Sequence, residues 1–366
     1  MHENVFGTKE DAIRFIESLP VNITQDEFQK YNEEVYKKLG LETVLTGLFA
    51  WELKSGYITK SKLEDNEKHV FHDDETNNDF RLQINLARSH YKPAPLTGAN
   101  IPELYSSITI ENVGIPGKEN LRVFLFPLDG DKRMFFLQAT PFPLFKNHFV
   151  LINLEKIPQK ISRTTVKDLF DFVRQAPGYV ACSNSDLEWT GASILKHMHY
   201  QVFDSLDLPV MNAPALSQLT WVLADNLKVE VLNYPFKGIF RISGDLSGVQ
   251  NLMNRLIETW KAMDSKKNSV NLIVRKKSGI FEGYIFLRNQ DHRTTEEFQR
   301  YKTEGVGIIE VAGECILPVP AGEEAAQILN EIRKDGLKVI KGIIGDNNPV
   351  KELSQMREII GMSHIA

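Results

Sequence analysis

A chain of 366 residues with 42% hydrophobic and 25% charged side chains can bury one large or two medium globular domains. Its 43 basic and 48 acidic residues leave a net charge of −5, which argues against a nucleic-acid binder but leaves room for a local basic pocket for phosphate. Two cysteines, Cys182 and Cys315, with no C-x-x-C pair argue against a thiolate zinc site; the lack of a basic, apolar leader or a membrane-length apolar run makes a soluble cytoplasmic protein the expectation.

In chain order, Ala12, Ile13, Phe15, Ile16 and Leu19 form one helical stripe and Phe28, Tyr31, Val35 and Leu39 another, with Pro20 between them and Gly40 at the end. Leu41 to Ser55 is apolar and stops at Gly56. Residues 61–79, rich in Lys, Asp, Glu and Asn, are predicted to be an exposed loop. Phe80 to Leu86 alternates as a strand does, placing Gln83 and Asn85 on one face, with Arg88 just after it. That face by itself is explained equally by solvent exposure. Residues 92–120 are loop-rich. The strands 121–126 and 134–138 flank a turn at Asp129-Gly-Asp131 and form a hairpin. Pro141-Phe-Pro143 leads into a buried strand with Asn147 and His148 at its mouth. Thr164 or Thr165 is placed to cap a helix running to Arg174, and Tyr179 to Cys182 is a strand entering the polar turn 183–186.

The stretch Gly191 to Val202 reads as a strand on which His197, His199 and Gln201 share one face, opposite Met198, Tyr200 and Val202. Three polar side chains on one face all need partners. The residues alone leave three readings open: a solvated strand face, a metal-binding pair completed by His90, His148 or His292, or a nucleophilic histidine.

After Pro209 a similar alternation returns. Strands are predicted at 227–232, 238–243, 270–274, 283–287, 306–311 and 315–318, and helices at 246–263, 321–334 and about 349–360. Strand clusters with a helix between them occur in both parts, although no residue-level repeat is visible. The expected organisation is two α+β halves, residues 1–210 and 211–366. Arg288, His292 and Arg293 form a basic cluster after a strand, either a solvated turn or a site for an acceptor phosphate.

Four features in order carry a family resemblance: Gln83-Ile-Asn85 with Arg88, Pro141-Phe-Pro143 leading to His148, Asn184 placed thirteen residues before His197, and His197-Met-His199-Tyr-Gln201 as an H-x-H-x-Q signature. The chain, over about residues 40–320, resembles the histidine-triad nucleotidyltransferases, most closely the GDP-hexose phosphorylases and galactose-1-phosphate uridylyltransferases. The text after the signature, Leu206 to Val210 and Leu232 to Gly238, is similar to the GDP-hexose phosphorylases and favours a GDP-hexose as substrate.

The resemblance implies an α+β fold of two histidine-triad-like halves, each an antiparallel sheet with packed helices. It implies that His199 attacks the α-phosphorus of a nucleotide sugar and that Gln201 steadies a phosphoryl oxygen, with His197 orienting its surroundings. Asn184, Ser193 and Arg88 become candidates for phosphate or ribose, and Asn85, Gln83, His148 and Arg288 for the rest of the substrate. The implied partners are a nucleotide sugar with phosphate or hexose 1-phosphate; a homodimer is compatible with this. No cofactor and no metal are expected, because the zinc-bearing uridylyltransferases use cysteine pairs absent here. Hexose-1-phosphate uridylyl transfer, a non-catalytic nucleotide-binding role and a metal-binding role are the alternatives.

Overall fold

The computed structural model describes residues 7–58, 66–86, 106–130, 133–141, 143–191, 193–224 and 226–365. The chain begins with three helices. α1 (Lys9–Ser18) starts where the Thr8 hydroxyl accepts the Asp11 N–H, and α2 (Gln25–Leu39) starts from a reciprocal cap between Thr24 and Glu27. The apolar run after Gly40 is α3 (Leu41–Ser55), ended by Gly56 in left-handed backbone. It shows no polar stripe because most of its circumference is buried. At Gly47 it lies so close to α1 that any side chain would strike Ile16.

The acidic and basic stretch predicted as a loop is in part a strand: β1 (Glu67–Asp73) pairs antiparallel with β2 (Asn78–Ile84). Charged and polar residues dominate the stretch around β1, and that composition hid it. β13 (Glu314–Leu317) joins β2 in parallel and completes a three-stranded sheet.

The larger sheet holds ten strands. Its first five are β3 (Phe124–Pro127), β4 (Met134–Ala139), β5 (His148–Asn153), β6 (Tyr179–Ser183) and β7 (His199–Asp204), with α4 (Arg163–Gln175) between β5 and β6. Its second five are β8 (Ala215–Ala224), β9 (Leu227–Leu232), β10 (Ile239–Gly244), β11 (Asn268–Lys277) and β12 (Ile280–Asn289), with α5 (Leu246–Met263) between β10 and β11. The order β3-β4-β5-β7-β6-β11-β12-β10-β9-β8 shows one topology used twice: in each half the fifth strand is inserted between the third and the fourth. The two half-sheets are expected as α+β units, and they are; their fourth strands, β6 and β11, pair antiparallel and fuse them into one sheet.

α4 and α5 cover one face of this sheet, where Val166, Leu169, Val249 and Leu256 pack with Tyr200 and Val202 of β7. The other face, carrying Cys182, Phe203, Ile273 and Phe286, packs with Leu82 of β2, Cys315 of β13 and Ile340 of α8 (Ala325–Asp346). α6 (Glu296–Gln299), α7 (Ile308–Val311) and α9 (Leu353–Met362) complete the helices of the described residues. None of them is long and apolar enough to cross a membrane.

The expected strand at 306–311 is a turn of helix. Gly307 stands at its N-cap and donates its N–H to the Glu310 carboxylate at 3.0 Å, a cap-to-N3 spacing that the apolar alternation masked. The expected strand from 191 begins only at His199; residues before it form turns.

Candidate active site

His199 opens β7 and is the point where the ladder between β6 and β7 ends. Residue 201 still faces Cys182 of β6, but His199 has no β6 partner. Its backbone N–H donates instead to the Gln159 carboxamide oxygen at 2.9 Å. The ring is fixed just as closely. His199 Nδ1 lies 2.8 Å from the His197 carbonyl oxygen. A carbonyl can only accept, so Nδ1 carries the proton and Nε2 holds the lone pair. Nε2 makes no hydrogen bond among the described residues. The side chain is only 9% exposed, and burial above all lowers its pKa from 6.5. The imidazole is therefore neutral near pH 7, with its nucleophilic nitrogen preset.

His197 plays a different part. It is 1% exposed, lies outside β7, and its Nε2 donates to the Asn153 carbonyl at 2.8 Å, with the Ser106 hydroxyl at 3.4 Å from Nδ1. Its carbonyl holds His199. The two imidazoles thus do not form a pair on one strand face; one ring anchors the backbone that orients the other.

Gln201, two residues on, lies on the same face of β7 as His199 and lines a cleft of about 790 Å³. The cleft brings together Gln201, Asn184, Ser193 and Asn85 of the residues singled out from sequence. Asn184 also braces its wall: its Oδ1 accepts the Ile308 N–H at 2.9 Å, across from the second half of the chain. Gly191 makes this possible. It holds a φ of +98°, and a side chain there would run into the backbone of Gly307.

His197 and His199 sit behind the lining rather than in it, and Gln83, His148 and Arg288 do not line the cleft either. Gln83 is buried and donates to Glu314, which is also ion-paired with Arg81. His148 stacks on Phe203 with ring centroids 4.3 Å apart, and burial pushes its pKa down to about 3. It lies four residues along β5 from the partner of His199, about 13 Å away. Its Nδ1 accepts the Leu144 N–H at 3.3 Å, so it holds a residue that does line the cleft. Arg288 is neither a solvated turn nor exposed to an acceptor: it is fully buried and donates to Asn271, to Asn347 and to the Val306 carbonyl, bracing the cleft wall from behind. Arg88 and His90 lie outside the described residues.

Several lining residues escaped the sequence reading. Lys302 and Glu310 form a buried ion pair at 2.8 Å, and Lys302 also donates to the Ile316 carbonyl. Burial alone would lower the Lys302 pKa, but the adjacent Glu310 carboxylate outweighs it and the net shift is upward. Lys302 is the one basic residue lining the cleft among the described residues. Trp189, Glu304, Gly305, residues 307–309 and residues 316–321 also line it. The Gly307-to-Glu310 cap was the one readable signal for this wall. No cluster of three His, Cys, Asp or Glu side chains suited to a metal occurs among the described residues.

Comparison with known proteins gives the site its context. Residues 129–204, from the end of β3 to the end of β7, match a family model described as a domain of unknown function, DUF4922. The chain is 28% identical over 320 residues to a galactose-1-phosphate uridylyltransferase of Clostridium acetobutylicum, covering 77% of this chain and 63% of that protein. It is 28% identical over 375 residues to the one of Caldanaerobacter subterraneus subsp. tengcongensis, covering 91% and 70%. Yeast Ap4A phosphorylase superposes with TM-scores of 0.53 alone and 0.51 with AMP, at 15% and 14% identity. Each superposition covers 84% of this chain and 95% or 97% of the yeast protein. The chain is thus similar along most of its length to galactose-1-phosphate uridylyltransferases and shares its fold with the yeast Ap4A phosphorylase. It spans just under two thirds of the Clostridium relative's length. The H-x-H-x-Q signature straddles the start of β7, with His197 before it and His199 and Gln201 in it, and the cleft opens on the face of that strand turned away from α4 and α5.

Proposed function

We propose that this protein transfers a nucleotidyl group, uridylyl by preference, between a nucleotide sugar and a hexose 1-phosphate through a covalent intermediate on His199. The observation that carries the reading is the His199 ring. Its Nδ1–H is held by a backbone carbonyl, and Nε2 keeps its lone pair on the strand face whose next residue, Gln201, lines a cleft of about 790 Å³. The Nε2 lone pair forms a bond to the α-phosphorus. The bond from that phosphorus to the bridging oxygen breaks, and the hexose 1-phosphate leaves with the oxygen and its electrons. In the second step a phosphate oxygen of the acceptor hexose 1-phosphate forms the new bond to phosphorus. The P–N bond breaks and the neutral imidazole returns.

The positive charge that develops on the ring faces the His197 carbonyl through Nδ1–H, so it needs no solvent to stabilise it. The Gln201 carboxamide offers an N–H donor to a non-bridging oxygen and is neither a base nor a competing nucleophile.

The preference for uridylyl transfer rests on the relatives named galactose-1-phosphate uridylyltransferase, and it replaces the GDP-hexose phosphorolysis favoured on the text after the signature. The test is labelling with UDP-glucose carrying ³²P at the α-phosphate. The wild-type chain should acquire an acid-labile, base-stable label that galactose 1-phosphate discharges as UDP-galactose. His199→Ala should acquire none while melting at the same temperature. An equal label on that variant would rule out the mechanism, and a label arising only from GDP-sugars would return the reading to phosphorolysis.

A further inference from the structure

We propose that Gln159 is the positioning residue of His199: its side chain stands in for a missing stretch of strand and fixes the main chain that carries the nucleophilic ring. The role rests on the nucleotidyl-transfer reading above.

The vacancy it fills follows from the register. In an antiparallel ladder each step along one strand is matched by a step back along the other, so with Cys182 opposite Gln201, Asn184 would come opposite His199. The pairing of β6 with β7 stops at Cys182 instead. The Asn184 side chain accepts the Ile308 N–H at 2.9 Å and lines the cleft. Building the cleft wall thus empties the place beside His199. The Gln159 carboxamide oxygen takes that place and accepts the His199 N–H at 2.9 Å, while its Nε2 reaches the Ser183 hydroxyl, at the end of β6, at 3.4 Å.

The main chain of residues 157–159 runs beside the signature in the same way. The Ile157 carbonyl accepts the Met198 N–H at 2.8 Å, and the Gln159 N–H donates to the Leu195 carbonyl at 2.9 Å. From β5, the Asn153 N–H donates to the Met198 carbonyl at 3.1 Å. The peptide plane between Met198 and His199 is therefore tied at both ends, its oxygen to β5 and its N–H to Gln159. Cutting the second tie frees the plane to turn, and turning it changes φ of His199. The ring then moves relative to the His197 carbonyl, 2.8 Å from Nδ1, that selects its tautomer. Of the two ties on this plane, only the one from Gln159 is made by a side chain.

Lack of room does not explain the direction of that side chain. Gln159 is 6% exposed, yet it borders a second chamber of about 500 Å³, which Met198 and the start of α4 also line and which shares no residue with the cleft. The amide has space to turn that way. Its burial is offset only by the bonds it makes, to His199 and to Ser183.

The test compares wild type with Gln159→Met, similar in shape but without a carboxamide oxygen, and Gln159→Glu, which keeps an oxygen acceptor whether or not it is ionised. Measurements are made near pH 8, where the ring is neutral. They are the rate of ³²P labelling by saturating UDP-glucose, the calorimetric affinity for UDP-glucose, and the tautomer of the His199 ring from its ¹⁵N resonances. Q159M should label roughly ten- to a hundredfold more slowly, with the affinity within about twofold of wild type and both tautomers populated. Q159E should regain most of the rate and the single Nδ1–H tautomer. Unchanged rate and tautomer in Q159M would overturn the proposal. So would a slower rate fully accounted for by weaker UDP-glucose binding, or a Q159E variant as impaired as Q159M. If Q159M does not stay folded, Gln159→Asn, too short to reach the His199 N–H, takes its place with the same expectations. The ring nitrogens keep the two readings apart. No label on wild type, with a His199 tautomer that still depends on residue 159, sinks the transfer mechanism alone; normal label, with rate and tautomer indifferent to residue 159, sinks the positioning role alone.

Discussion

At the scale of single residues, hydrogen bonds to the main chain assign the roles. Both histidines of the signature are buried and both donate to a carbonyl, yet His199 keeps its Nε2 lone pair on the strand face it shares with the cleft-lining Gln201. His148 shows what the same side chain does where no ligand is in view. It is neutral, stacked and 6% exposed, its Nδ1 accepts from Leu144 and its Nε2 has no partner. Burial takes its pKa to about 3 from an unfolded value of 6.5. Between those values the unfolded chain binds a proton that the folded chain refuses. This residue's contribution to stability is therefore intact above pH 6.5 and is lost as the pH falls, by up to about 1.4 kcal/mol per pH unit. His148→Phe should remove that slope and, by orphaning the Leu144 N–H, cost about 1 kcal/mol at neutral pH. Urea midpoints should accordingly rank the variant below wild type at pH 7.5 and above it near pH 4.5; parallel curves would show that His148 does not carry the acid sensitivity.

At the scale of elements, the ten-stranded sheet has two edges and treats them differently. β3 is shielded by α2 in an unusual way: Gln25 and Gln29 each use the carboxamide as a short stretch of false strand. Gln25 donates to the Val123 carbonyl at 2.8 Å and accepts its N–H at 3.1 Å, and Gln29 does the same for Leu125 at 2.8 and 2.9 Å. The edge groups that would template aggregation are thereby satisfied without a further strand. The opposite edge, β8, carries no charged residue and instead breaks its register twice against β9. Replacing both glutamines by alanine should unpair four main-chain groups at the β3 edge and lower stability by roughly 2 to 4 kcal/mol. Light scattering on heating should rise together with that loss. A double variant as stable and as soluble as wild type would mean that water serves this edge equally well.

At the scale of the whole molecule, the two half-sheets repeat one strand order, and only the first carries the H-x-H-x-Q signature. β12 stands where β7 stands in the first half, inserted between its third and fourth strands, and Ile280 to Asn289 contains no histidine. The second half has become the other wall of the cleft, through Lys302, the 305–310 turn and residues 316–321, joined to the first by the bond from Ile308 to Asn184. Saturating label should therefore reach about one nucleotidyl group per chain, all of it on the peptide containing His199. A value near two, measured by intact-protein mass, would reveal a second nucleophile and contradict this division of labour.

The sequence by itself determined the α+β alternation in both halves and a nucleophile candidate in His197-Met-His199-Tyr-Gln201, because period and a short motif are local properties of the chain; the helix cap expected at Thr164 or Thr165 is Ser162 instead. Residue pattern could not separate His199 from His197 or His148, and only the family resemblance singled out His199, since what distinguishes them is which carbonyl, amide or ring lies opposite each imidazole, and those partners come from β5, from the 157–159 segment and from Ser106. Nor could it tell that Arg288, flanked in sequence by polar residues, would be fully buried, or that Trp189 would be exposed. Burial and long-range pairing arise only when distant segments close on one another. The cleft wall between Gly191 and Gly307, more than a hundred residues apart, came into being at that step.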